Sequence, residues 1–193
     1  METIIGLAVG IGLSAACGFR VFVPMLGLSA AALSGYLTLA QGFQWLGTWP
    51  ALIAFATATV LEICAYYIPW VDNMLDALMT PAAIAAGTIT MASMMGDVSP
   101  FLKWSAALIA GGGISAIVQG GTVALRTKAS VATGGTTNFM VSNVELAGSV
   151  LLTICAIVLP ALCFVLVILI CWMMVAKMVK SPFIRSFFTR KNQ

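Results

Sequence analysis

The sequence predicts an all-α integral membrane protein, and three observations carry that reading. Of 193 residues, 61% are hydrophobic and 8% are charged, where a soluble domain carries about 25% charged residues. The apolar residues gather in runs of the length that crosses a bilayer, about 20 residues each. No run alternates apolar and polar residues as barrel strands do, and a backbone in hydrocarbon has to bond to itself. The runs are therefore read as helices.

Five or six such segments follow one another. Thr3–Val23 carries one charge, Arg20, and Pro24–Gln44 carries none. Trp49–Pro69 carries Glu62. Leu78–Gly96, Trp104–Leu125 and Leu146–Ala176 are uncharged. Trp45, Trp49, Tyr66, Tyr67, Trp70, Trp104 and Trp172 fall mostly near run ends, as interfacial belts do. We read residues 1–176 as a single transmembrane domain and 177–193 as a tail. Glu2 and the lack of a basic lead-in argue against a cleaved signal peptide.

The tail holds five of the nine basic residues and no acid, which orients the C-terminus toward the cytoplasm. Ser181-Pro182 would start a helix. Phe183, Ile184, Phe187 and Phe188 among Arg185, Arg190 and Lys191 would lay it on anionic lipid.

Two stretches look alike. Leu61-Glu62-Ile63-Cys64-Ala65 with Pro69 recurs as Leu152-Thr153-Ile154-Cys155-Ala156 with Pro160. Gly10, Ser14 and Gly18 match Gly112, Ala116 and Gly120. This suggests repeat one at 3–70, a connecting helix at 78–96 and repeat two at 104–176. If 24–44 and 126–144 are re-entrant, the repeats are inverted, a recurring transporter design. Pro24, Pro69 and Pro160 would kink or break helices. Gly6, Gly10, Ser14, Gly18, Gly112 and Gly120 would let helices approach closely.

The chain lacks histidine, so the commonest metal ligand and general base is missing. Its five cysteines lie in apolar runs without a CxxC; no metal, cofactor or enzymatic activity is expected. Gly10-Ile11-Gly12-Leu13-Ser14-Ala15 fits a dinucleotide fingerprint only by letters, because the strand before it is missing. The costly residues are Arg20 and Glu62, since a central intramembrane charge costs on the order of 2.5–3.5 kcal/mol. Arg20 would bind an anionic group and Glu62 a proton or cation; as a structural alternative, the two pair with each other or Arg20 reaches the interface. Arg126, at the second connection, is a further candidate. Asp72 and Asp76, with Asn73 and Asp97 nearby, would form a cation-attracting mouth or a solvated loop. Gly134-Gly135-Thr136-Thr137-Asn138 would offer amides to an anion or form a plain loop.

Gly18-Phe19-Arg20-Val21-Phe22-Val23-Pro24, Trp49-Pro50-Ala51 and the stretch from Glu62 to Asp76 (EICAYYIPWVDNMLD) resemble the bacterial membrane family called domain of unknown function 4126. The resemblance covers the chain up to the tail. It implies a bacterial inner-membrane protein and assigns no activity. Arg20-x-Phe-x-Pro24 also resembles the re-entrant arginine segment of DedA-type lipid carriers.

Three functions are therefore expected candidates. The first is a small transporter or channel for a small ion or anionic solute. The second is a lipid carrier or scramblase that grips phosphate headgroups. The third is a non-transporting assembly or scaffold protein. Homo-oligomerisation, with a dimer favoured, would supply walls that about 20 kDa of helix lacks, and no nucleic acid is expected.

Overall fold

The computed structural model describes residues 2–66, 69–96, 98–133 and 138–179. Among these the chain is helical and carries no strand. The helices are α1 (Glu2–Cys17), α2 (Phe22–Leu33), α3 (Trp49–Ala65), α4 (Pro69–Ser93), α5 (Pro100–Ala106), α6 (Gly113–Thr133), α7 (Asn138–Val158) and α8 (Pro160–Val179). A 3₁₀ turn, Gln44–Gly47, leads into α3. A π segment, Ala107–Gly112, joins α5 to α6 without interruption. The long helix so formed and α7 are apolar and long enough to cross a membrane, over Pro100–Val131 and Met140–Val158. Five further helices are apolar but shorter in their described parts.

Small residues set the packing. A Cβ on Gly6 or Gly10 would lie 2.9 Å from Met94 O or Met91 Sδ of α4. One turn on, Ser14 Oγ donates to Gly87 O at 2.8 Å. A Cβ on Gly18 would stand 2.7 Å from Ser115 O of α6, and one on Gly112 would stand 2.7 Å from Thr88 Oγ1 of α4. Gly120 is half-buried on α6. The other side of α1 is equally tight, with Gly12 against Ala156 and Cys163. Such close axes come from residues that have no side chain to interpose. They place α1 at the centre, between α4, α6, α7 and α8.

These contacts also fix directions. Gly6, Gly10 and Ser14 meet Met94, Met91 and Gly87 in turn, so α1 and α4 are antiparallel. Gly112 meets Thr88 while Ser115, further along, meets Gly87; α6 is thus antiparallel to α4 and runs with α1. Ser149 Oγ donates to Ala16 O at 3.1 Å and Ala156 lies at Gly12, so α7 opposes α1. Gly27 of α2 meets Thr153 of α7, and α2 doubles back from α1 beside α7. Ser29 Oγ donates to Leu46 O at 2.6 Å. The segment after α2 therefore returns along it, and α3 descends antiparallel to α2. The 24–44 region is a 12-residue helix with a return loop, about 18 Å of helix at 1.5 Å per residue and too short to span on its own.

Two expectations change here. An inverted repeat requires matched helices to run in opposite directions. Instead α1 and its match α6 run the same way, and α3 runs with α1 while its match α7 runs against it. The second connection is also different in kind: α6 continues unbroken through Thr133 and α7 begins at Asn138, so 126–144 is largely the body of a helical hairpin. Pro24 and Pro160 open helices rather than bend them. Pro160 is the first residue of α8 and Pro24 sits in the first turn of α2, where a missing N–H costs nothing; the two residues before Pro69 lie outside the described residues. The proline inside a helix is Pro81, in α4. The connecting helix expected at 78–96 is the second part of α4.

Candidate functional site

The link between α1 and α2 forms the tip of a hairpin driven into the protein. Gly18 of this tip touches Val118, near the middle of the long helix. Arg20 sits on the tip, just past the C-terminal end of α1, where carbonyls favour a cation. It is 2% exposed, so it does not reach out to an interface. Its Nη2 donates to Ser142 O of α7 at 3.1 Å and to the Ser142 hydroxyl.

Glu62 comes to the same tip from the last turns of α3. Its Oε1 accepts from Val21 N at 3.0 Å and its Oε2 from Phe22 N at 3.1 Å. These are among the amides that the first turn of a helix leaves unbonded, and a carboxylate there also complements the helix dipole. The α2 start offers no side chain of its own as a cap; Glu62, 40 residues away, takes that place. The carboxylate therefore closes onto main chain.

Arg126 approaches from α6. It donates through Nε to Glu145 Oε1 at 3.2 Å and forms an ion pair with Glu145 through Nη2 and Oε2. Both residues are under 5% exposed. Tyr66, at the C-terminal end of α3, ties the two arginines together. The Arg20 guanidinium carbon lies 3.6 Å from its ring centroid and that of Arg126 lies 4.3 Å from it. Cation–ring attraction is strongest where water is excluded, as it is here.

Among the described residues, Arg20, Glu62, Arg126 and Glu145 thus converge with Tyr66 and Ser142. Of the residues singled out from sequence, Arg20, Glu62 and Arg126 come together. Asp72 and Asp76 lie outside the described side chains, as does Asn138; Asp97, 134–137 and the tail from Lys180 on lie outside the described residues. The small residues of α1 pack it against its neighbours around the site and do not line it.

Three members were missed. Tyr66 reads in sequence as one more interfacial aromatic, yet it is 7% exposed, while Trp45, Trp49, Trp104 and Trp172 are about half exposed or more. Glu145 escaped because the apolar run was counted from Leu146. A signal for it existed: Arg126 and Glu145 stand equidistant from the stretch Gly134–Thr137, the positions a helical hairpin would pair. Ser142 had none, since its role is to meet Arg20 from a helix 122 residues away.

No metal-binding group of three or more acidic, cysteine or histidine residues occurs among the described residues. No curated protein and no solved structure matches the chain, and the DedA-type likeness gains no support from these comparisons. The family described as Domain of unknown function (DUF4126) matches residues 7–180, the stretch that holds every member of this cluster, and the chain belongs to that family.

Proposed function

We propose that this protein is embedded in a bacterial inner membrane as a small transporter or channel for a small ion or anionic solute, with Arg20, Glu62, Arg126 and Glu145 at its site. Membrane embedding is supported by the outer surface. On α7 and α8, Leu151, Ile154, Val158, Leu162, Ile168 and Trp172 are all exposed, and such a band suits lipid rather than water. The basic tail supports a cytoplasmic C-terminus in contact with anionic lipids.

The observation that carries the transport reading is the buried cluster itself. Apolar residues of similar size would hold these helices together at lower cost than desolvated ions. Ionisable residues inside a membrane protein characteristically mark a substrate or ion path. The short α1–α2 hairpin supports it further: its tip puts a helix C-terminus and a helix N-terminus side by side in the interior, the kind of half-helix end that transporters use to hold ions.

Purified protein in liposomes, given a panel of inorganic ions and anionic solutes, tests this. Wild type should move at least one solute above empty vesicles, and Glu62→Gln should change its rate. If wild type and the Arg20→Ala/Glu62→Gln double variant are equally inert, the transport reading falls. In that case a fluorescent-lipid translocation assay decides for a lipid carrier, and a stoichiometric partner in native-membrane pull-downs decides for a scaffold.

A further inference from the structure

We infer that Tyr36, Trp45, Trp49 and Trp104 form a collar seated at the outer boundary between lipid and water, and that the charge cluster lies one hydrocarbon thickness away from it, at the cytoplasmic end of the bundle. This rests on the membrane-embedded reading above and gives its site a depth and a side.

The collar is assembled from separate parts of the chain. Each of its rings is about half exposed or more. Ala40 N donates to Ser93 O at 2.8 Å, so the loop after α2 lies at the C-terminal end of α4. The ring centroid of Phe43, in this loop, is 5.9 Å from that of Trp104 in α5. A Cβ on Gly47 would stand 3.0 Å from Ala32, which puts the entry to α3 beside the end of α2. Gly6, against Met94, brings the first turns of α1 to the same end. Tryptophan and tyrosine favour the headgroup level, where the ring meets lipid and its N–H or O–H meets water.

Two helices measure the distance from collar to cluster. Along α3, Trp49 and Tyr66 are roughly 25 Å apart at 1.5 Å per residue. Along α5, the π segment and α6, Trp104 and Arg126 are roughly 30 Å apart by the same rise. The hydrocarbon core of a bilayer is about 30 Å thick. The surface between the two levels suits lipid: Ile53, Val60 and Leu61 of α3 and Leu108 and Ile109 of the long helix are all exposed. The centre of the bundle between them is filled by α1, whose Leu13, Ser14, Ala16 and Cys17 are fully buried. The cluster is thus closed off toward the collar.

Charge gives the side. A Cβ on Gly121 would stand 2.5 Å from Met174 Sδ, so α8 ends beside the second half of α6 and the basic tail leaves from the end that holds the cluster. Arg20, Arg126 and the exposed Lys128 are at that end too, whereas Lys103 neighbours Trp104 in the collar. With the five in the tail, eight of the nine basic residues are at the cluster's end or in the chain that leaves from it. Such an excess marks the cytoplasmic side.

The lysines test this in the wild-type protein. Intact spheroplasts and inverted vesicles are treated with a membrane-impermeant amine reagent, and Lys103 and Lys128 are read by peptide mass spectrometry. Lys103 should be modified in spheroplasts and spared in inverted vesicles, and Lys128 the reverse. Any other pattern overturns the inference. A Trp70→Phe/Trp172→Phe variant in liposomes keeps Trp45, Trp49 and Trp104. Its fluorescence should be quenched more strongly by lipids brominated next to the headgroup than by lipids brominated at the chain end. Equal quenching, or stronger quenching from the chain end, overturns the collar. The lysine pattern decides the matter even if that variant fails to fold. If alkaline carbonate strips wild type from the membrane, the embedded reading and the inference both fall. If wild type stays and both lysines react from one side, the inference falls alone.

Discussion

The α1–α2 hairpin and the α6–α7 hairpin solve the same problem in opposite ways. Each brings an arginine to the interior, and each has a glutamate near it. In the first, the chain breaks after Cys17 and the exposed start of α2 is sealed by a glutamate from a third helix. In the second, both helices run on unbroken and the glutamate lies across the hairpin from the arginine. One carboxylate replaces missing backbone bonds; the other neutralises a side chain. The comparison teaches that buried charges of equal cost in a sequence are not equal in a fold, because the partner determines whether a charge can be given up.

The comparison can be broken most sharply at Arg126. Arg126→Ala strands Glu145 in the interior and should cost about 3–5 kcal/mol, read as unfolding in detergent micelles. Arg126→Leu/Glu145→Leu should recover most of that loss, since no lone charge remains. A single variant as stable as wild type would mean that the second hairpin does not depend on its ion pair. Next is the seam between the hairpins. Gly18→Val pushes a side chain into Val118 and Ser115 and should cost about 1–3 kcal/mol by overpacking. A crosslink yield between the α1–α2 tip and α6 would fall with it.

Glu62→Ala unseals α2 and should cost about 1–2 kcal/mol, the scale of a lost helix cap. Hydrogen exchange should rise at Val21 and Phe22 first; exchange that rises instead around Arg126 would show that Glu62 serves the cations after all. Tyr66→Leu removes the shared ring and should cost about 0.5–2 kcal/mol, whereas Tyr66→Phe keeps the ring and should retain most of that. The smallest effect is expected where the hairpins touch through Thr153. Its hydroxyl oxygen is buried without a hydrogen-bond partner beside Gly27. Thr153→Val should therefore change stability by less than about 0.5 kcal/mol, or raise it slightly.

The sequence by itself determined a great deal. Composition, run length and the lack of strand alternation pointed to helices, and the described residues are helical without a strand. The cost of burying a charge singled out Arg20 and Glu62 before any coordinates, Arg126 was named for its place at the second connection, and the spacing of Gly6, Gly10 and Ser14 marked the face on which α1 meets α4. Tertiary structure alone decided the rest. Helix direction is not written in an apolar pattern, which reads the same both ways, so the likeness of Gly10, Ser14 and Gly18 to Gly112, Ala116 and Gly120 suggested an inversion that the contacts of α1, α4 and α6 do not support. Nor can a hydropathy run say where a proline starts a helix and where it bends one. The partners of Arg20 and Glu62 were hidden for the same reason: they lie 122 and 40 residues away, and such pairings are fixed by how glycine-lined helices close on one another. An apolar, charge-poor composition thus ends as two unlike hairpins sharing one ring, Tyr66, whose place no local pattern reveals.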